Sequence, residues 1–281
     1  MTPQQNDPVH AQIRTDLGED RPLDFTPTFS GGRQELIWIR SSLSDFYDDL
    51  WLDDIAFRVK GGKEATVYCC TANASTERDL LAAKIFRPTM FRAMRNDSLY
   101  RVGREALDHD AKSIRDSRRK RALQRRTAYG RALATASWCQ HEFQALSELH
   151  AAGADVPEPL VCGENAILME FIGDSNGAAP LLQDVRLAPT EARRLLDRLI
   201  ENVRLLLARY RIHGDLSAYN VLYWEGEVRI IDFPQTIDVL HHPMAYELFV
   251  RDIDRLCRYF DRQGVVSDAA ALAHELWSEV M

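Results

Sequence analysis

The sequence predicts a two-lobed α/β (α+β) fold, and three observations carry that prediction. Ile212-His213-Gly214-Asp215-Leu216-Ser217-Ala218-Tyr219-Asn220 runs into an apolar strand, a short turn, a second apolar strand and then Ile231-Asp232-Phe233-Pro234-Gln235. Far upstream, Ile55 to Lys60, Ala65 to Thr71 and Leu80 to Phe86 read as three consecutive strands separated by turn-forming linkers. Between these blocks, Thr135 to Ala152 carries Trp138, Phe143, Leu146 and Leu149 at helical spacing, with Gly153 as a C-terminal stop.

The elements follow in chain order. Residues 1–30 are polar, hold Pro3, Pro8 and Pro22, and are expected to form a disordered tail that lacks a signal-peptide hydrophobic segment. Residues 31–54 contain Leu36, Ile37, Trp38, Leu43, Phe46, Tyr47, Leu50 and Trp51, an aromatic-rich helical extension packed on the small lobe. The small lobe itself is expected over 55–172, interrupted by a basic, flexible insertion at about 90–134, and the second lobe over 173–281. Ala166 to Gly173 reads as a buried strand leaving the small lobe, and a helix over about Thr190 to Tyr210 supports the loop that follows. Val221 to Trp224 and Val228 to Ile231 pair as a hairpin around Glu225-Gly226-Glu227.

That hairpin directs the chemistry. Taken singly, Asp, Asn and Ser in short loops cap helices or shape turns. Here a tight hairpin brings the loop before its first strand beside the loop after its second, so Asp215, Asn220 and Asp232 converge on one point. Phosphoryl transfer from ATP needs such a set: one carboxylate orients the attacking hydroxyl, while an amide and a second carboxylate hold Mg2+ on the phosphates. Lys84 supplies the phosphate-binding cation. It lies in Leu80-Leu81-Ala82-Ala83-Lys84-Ile85-Phe86, and burying an unpaired ammonium is costly enough that it should face a cleft with anionic partners. Glu142 lies four residues after Trp138 and four before Leu146, on the helix face expected to turn toward the sheet; Glu148 is the competing, more solvated candidate.

With these motifs in view, the chain resembles the RIO family of atypical protein kinases over roughly residues 50–262. Gly62-Lys63-Glu64-Ala65 is similar to that family's short phosphate loop, Ser217 stands where ordinary protein kinases have a lysine, and Asp232-Phe233-Pro234-Gln235 replaces Asp-Phe-Gly. His242-Pro243 and the Arg251-Asp252-Ile253-Asp254 helix are also similar. The resemblance implies a bilobal protein-kinase-like fold with a truncated C-lobe, lacking an activation loop and a peptide-docking subdomain. It implies ATP as cofactor with Mg2+ or Mn2+ held by Asn220 and Asp232, Asp215 positioning the acceptor, and Lys84 with Glu142 on the phosphates. The backbone of Gly61, Gly62, Lys63 and Glu64 would contact phosphate, since Lys60 and Gly61 stand where the family usually places Ser and Thr. Adenine would lie between Ala82 and Val67 above and Leu222 below, with Ile231 behind and the hinge strand of Met169, Glu170 and Ile172 along its edge. Asp232 itself could become transiently phosphorylated. About fifty residues precede the kinase-like region, too few for the winged helix and linker of one subfamily.

Composition and charge narrow the classes further. The chain has 281 residues, 46% of them apolar, enough to bury a two-lobe core. No apolar run approaches the ~20 residues that span a bilayer, and the reading is a cytoplasmic protein. The five cysteines (69, 70, 139, 162, 257) show no metal-ligand spacing and are expected to be reduced. Net charge is −7, yet Lys112 to Arg131 holds nine basic residues against Asp116 alone. Such a run is usually a solvated face; beside this site it is also a candidate contact for RNA or a ribosomal particle through phosphates. Two other readings stay open: an aminoglycoside-type small-molecule phosphotransferase, and a module that uses ATP as a conformational switch.

Overall fold

The computed structural model describes residues 25–62, 64–87, 106–107, 112–114, 116–125 and 127–280. These fall into two compact units. The first holds the described residues up to Arg87, those on to Gln140, and Val161–Leu168; the second holds His141–Leu160 and the described residues from Met169 onward.

The first unit begins earlier than the composition suggests. The expected tail at 1–24 lies outside the described residues, but Phe25 is only 1% exposed and stacks 5.0 Å from Tyr47. Thr28 N donates to Asp54 Oδ1 at 2.8 Å. Helix α1 (Arg33–Asp48) buries Ile39, Leu43 and Phe46. It is followed by strands β1 (Leu52–Gly61), β2 (Ala65–Ala72) and β3 (Leu80–Phe86). The three are successive antiparallel neighbours, pairing Val67 with Lys84 and Cys69 with Ala82. Alternation then puts Ala82, Lys84 and Phe86 on one face of the sheet. The other face meets α1, where the Tyr68 hydroxyl donates to Glu35 Oε1 at 2.7 Å. Cys69 and Cys70 are both fully buried, so this strand is covered on both sides.

In the basic segment, Ser117–Arg125 forms a helix (α2), started by Asp116 Oδ1 accepting from the Arg119 amide at 3.1 Å and from the Arg118 amide. Residues 88–105, 108–111, 115 and 126 of the expected flexible insertion lie outside the described residues. Helix α3 (Ala128–Ala151) starts seven residues before the expected Thr135, because Ala, Arg and Leu sustain a helix without an apolar stripe. Strands β4 (Pro159–Cys162) and β5 (Ala166–Glu170) complete a five-stranded sheet in the order β1-β2-β3-β5-β4.

The division between units runs at 140/141, 160/161 and 168/169 rather than at the expected 172/173. The later turns of α3 bond within the second unit, through Glu142 to Phe233 and Glu148 to Arg211. There the chain passes through short strands β6 (Gly173–Asp174) and β7 (Gly177–Ala178) into α4 (Pro189–Leu207), whose Leu195, Leu199 and Val203 are buried. Next come β8 (Arg211–Ile212), the hairpin β9 (Val221–Trp224) and β10 (Glu227–Ile230), and β11 (Ile237–Asp238), which pairs back onto β8. The hairpin turn is two residues, Glu225 (φ 52°) and Gly226 (φ 83°), one fewer than the sequence suggests. Helices α5 (Ala245–Arg262) and α6 (Ala269–Ser278) close the unit, with Phe249 and Tyr246 stacked on Trp277. Only Phe233 to Met244 separates Asp232 from α5, which leaves no segment of activation-loop length. Among the described residues no helix is long and apolar enough to cross a membrane.

Candidate active site

In the first unit the candidate residues are carried by β2, β3 and the turn before β2. Lys84 is 8% exposed, and its Nζ lies 5.4 Å from the centre of the Phe86 ring on the same face of β3. Val67 and Ala82 share that face by register, Ala82 buried and Val67 half-buried. The turn is tight: Gly62 N donates to Ala65 O at 2.9 Å, and a Cβ on Gly62 would stand 3.1 Å from that oxygen. Glu64 O accepts from Arg87 N at 2.8 Å, while Gly61 is exposed. Lys63 lies outside the described residues.

In the second unit the loop from His213 to Asn220 is held from both sides. His213 is 2% exposed; its Nε2 is 3.0 Å from Ile231 O and its Nδ1 accepts from Asp215 N at 3.3 Å. An Nε2–H donor and an Nδ1 acceptor satisfy both contacts. The imidazole thus ties the loop before the hairpin to the loop after it, and packs 4.8 Å from the Phe233 ring. Gly214 has φ +80°, a conformation that side-chain-bearing residues avoid, and a Cβ there would overlap the Gln235 carbonyl. Its N–H donates to Asp252 Oδ2 at 2.8 Å and its carbonyl accepts from Arg251.

Asn220 joins the two loops that carry Asp215 and Asp232. Its Nδ2 donates to Asp215 O at 2.8 Å and faces Asp215 Oδ2 at 3.5 Å, which turns the amide oxygen away from Asp215. Its carbonyl accepts from Ile231 N at 2.9 Å, so Asp232 follows directly on a backbone bond to Asn220. Asp232 is exposed at φ +73°, a strained setting for a non-glycine residue of the kind that collects at functional sites. Asp215, Asn220 and Asp232 therefore come together, as the hairpin argument requires. Leu222 on β9 and Ile231 after β10 are half-buried in the same unit.

Glu142 is 1% exposed, and its Oε1 accepts from Phe233 N at 3.3 Å. The sequence expectation turned it toward the sheet; the bond found here is to the residue that follows Asp232. Along the strand expected as a hinge, Met169 and Ile172 are each 8% exposed, Glu170 N donates to Glu158 O, and Ile172 O accepts from Ala179 N.

Two groups that sequence reasoning gave no role complete the picture. Asp252, on α5, is 2% exposed; burial raises its carboxyl from the ordinary 3.8 to about 7, against hydrogen bonds from Leu216 and Gly214 and the nearby Arg251. Arg255, one turn further, places Nη1 2.5 Å from Asp215 Oδ1. The available signal was a charged pair three residues apart on a helix whose Leu248, Phe249, Ile253, Leu256 and Phe260 face inward.

Among the described residues no group of three or more His, Cys, Asp or Glu could hold a metal. The Asn220 and Asp232 side chains nevertheless suit Mg2+, which takes one or two protein oxygens and fills its octahedron with water and phosphate oxygens. A buried strand lysine in a five-stranded sheet, followed by a His-Gly-Asp loop and a metal-type Asp on either side of a hairpin, defines a protein-kinase-like fold. Solved structures agree on the fold: Rio2 kinase from Chaetomium thermophilum superimposes with a TM-score of 0.61 at 21% identity, covering 86% of this chain and 68% of that one. Its ADP/Mg2+–phosphoaspartate complex superimposes at 0.59.

The chain belongs to the RIO family: the model for the RIO domain matches residues 67–272. A RIO-type serine/threonine-protein kinase Rio1 of Haloferax volcanii is 35% identical over 136 residues, 48% of this chain and 46% of that protein. Serine/threonine-protein kinase RIO1 of Chaetomium thermophilum is 32% identical over 229 residues, 76% of this chain and 40% of that protein. The matched region is thus less than half the length of these relatives.

Proposed function

We propose that this chain is a Mg-ATP-dependent RIO-type serine/threonine protein kinase that also hydrolyses ATP. The observation that carries the reading is the junction of Asp215, Asn220 and Asp232, locked by His213 and Asn220 across one hairpin. In this reading Asp215 orients the acceptor hydroxyl or water, Asn220 and Asp232 hold Mg2+ (or Mn2+), and Lys84 binds phosphate. Glu142 holds the Asp232 loop through the Phe233 amide and is assigned the role of acidic partner to Lys84. The amides of Gly61 to Glu64 line the phosphates. Val67, Ala82, Leu222 and Ile231 contact adenine, with the Glu170 carbonyl and Ile172 amide at its edge beside Met169. The small-molecule phosphotransferase reading is not favoured, because the relatives are RIO-type protein kinases.

Asp232 is also proposed as a transient phosphate acceptor. Its carboxylate oxygen would form a bond to the γ-phosphorus as the bond to the β-phosphate oxygen breaks and ADP leaves; water then releases inorganic phosphate. Rio2 kinase from Chaetomium thermophilum, a fold relative, forms an ADP/Mg2+–phosphoaspartate complex, which supports looking for one here. The test is γ-labelled ATP with the purified protein. Wild type should acquire label, part of it released by hydroxylamine, and Asp215→Ala should bind ATP nearly as tightly while losing turnover. Unchanged turnover in that variant would refute the role of Asp215.

The basic segment is proposed to contact RNA or a ribosomal particle. Its support is the charge concentration, with Arg118, Arg119, Lys120 and Arg121 on consecutive positions of α2. Association should weaken steeply between ~50 and ~200 mM salt. Replacing those four residues by Ala should weaken it further while sparing ATP hydrolysis. No RNA affinity at low salt would leave a solvated charged helix.

A further inference from the structure

Helix α5 grips the catalytic loop at three side chains, and they do different things. Arg251 binds the Gly214 carbonyl and Asp252 binds the Gly214 amide, so both hold backbone. Arg255 instead reaches the carboxylate that would do the chemistry, with Nη1 2.5 Å from Asp215 Oδ1. On the other side Asn220 Nδ2 stands 3.5 Å from Asp215 Oδ2. The carboxylate is therefore pinned at one oxygen and left more loosely held at the other, the one available to an incoming hydroxyl or water.

The pair does not earn its place as a stabiliser. Its two side chains are 39% and 40% exposed, and half-exposed ion pairs add little to folding stability. Nor is there another cation within the loop itself: from Ile212 to Asn220 the sequence holds no Lys or Arg, and Ser217 occupies the position where the loop could have carried one. A fixed positive charge beside the orienting carboxylate comes from α5, forty residues away in sequence.

We propose that Arg255 is a positioning residue for phosphoryl transfer: it fixes the orientation of the Asp215 carboxylate, presents Oδ2 to the acceptor, and supplies from α5 the positive charge that the catalytic loop lacks. This deepens the kinase reading and rests on Asp215 having the role assigned above. Arginine suits the task because its guanidinium is always charged. Misplacing an orienting group by about 1 Å costs on the order of 10²-fold in rate. Loss of this charged contact should therefore appear in kcat and leave nucleotide binding alone, since Arg255 bonds to Asp215 and to none of the groups assigned to ATP.

The test uses the full-length protein, γ-labelled ATP, and the rates of phosphate release and self-labelling in four variants. Arg255→Met should lower kcat by about 10- to 100-fold, with the KM for ATP within about twofold of wild type and an unchanged urea midpoint. Arg255→Lys, which keeps a charge, should recover most of the rate, and the neutral hydrogen-bond donor of Arg255→Gln much less. Wild-type kcat in Arg255→Met, or equal recovery by Gln and Lys, would overturn the proposal. Asp215→Asn separates the two layers. If it loses turnover while Arg255→Met does not, only the role of Arg255 falls. If Asp215→Asn turns over like wild type, the underlying assignment falls with it.

Discussion

Replacing Asp252 by Asn is expected to change how stability depends on pH, by an amount that follows from its burial. Asp252 is 2% exposed, and loss of solvation raises its carboxyl from 3.8 to about 7. The hydrogen bond from Gly214 at 2.8 Å and the Arg251 guanidinium 3.6 Å away offset only part of that penalty. Between pH 4 and 7 the native state then binds a proton that the unfolded chain does not, so native stability rises as pH falls across this window and levels off on either side. About three pH units at about 1.4 kcal/mol each correspond to ~4 kcal/mol. The Asn variant stays neutral throughout, and its amide oxygen can still accept from Gly214. Urea unfolding of both proteins from pH 4 to 8 isolates the effect, because other titrating groups cancel in the difference. The variant should gain ~4 kcal/mol relative to wild type across that range. A difference constant to within about 1 kcal/mol would refute the reasoning, since a carboxyl with an ordinary pKa would contribute no slope there.

Three further outcomes are expected. Gly214→Ala places a side chain at φ +80° against the Gln235 carbonyl; it should cost at least ~1–2 kcal/mol in a thermal melt and sharply reduce ATP turnover. Asp155→Ala removes hydrogen bonds to Arg198 at 2.5 and 2.7 Å and to the buried Asn202 at 2.7 Å, and should cost ~1–3 kcal/mol. Burial pushes the Asp155 carboxyl up, but Arg198 and Asn202 hold it below its ordinary value, so this loss should be full at neutral pH and shrink as pH falls into the acid range. Leu199→Ala on α4, at a fully buried position, should lower stability by ~2–5 kcal/mol in urea unfolding without altering the KM for ATP.

Much of the site was legible because its signals are local. β2 and β3, the hairpin of β9 and β10, and α4 follow from alternation, turn residues and helical period, which depend on neighbours within a few positions. Convergence of Asp215, Asn220 and Asp232 followed from the same source, since a tight hairpin dictates what meets at its open end. The two-residue strands β8 and β11 were not foreseen: they are too short to show a period and exist only because Ile212 meets Ile237. The early start of α3 was missed because Ala128 to Ala134 carries no apolar stripe, and sustained helix propensity without periodicity leaves a boundary open.

By itself the sequence picked out the candidate phosphotransfer residues, the order of strands that carries them and the family likeness, because these are set by residue type and short spacing. Tertiary structure alone decided which groups hold them. Helical spacing marked Glu142 for burial, but only packing chose the Phe233 amide as its hydrogen-bond partner. Asp252 and Arg255 were two charges on an amphipathic helix until α5 was set against the loop, one on the Gly214 amide and the other on the Asp215 carboxylate. Partners 38 and 40 residues apart are brought together by burial of the apolar face between them, and no local pattern encodes that meeting.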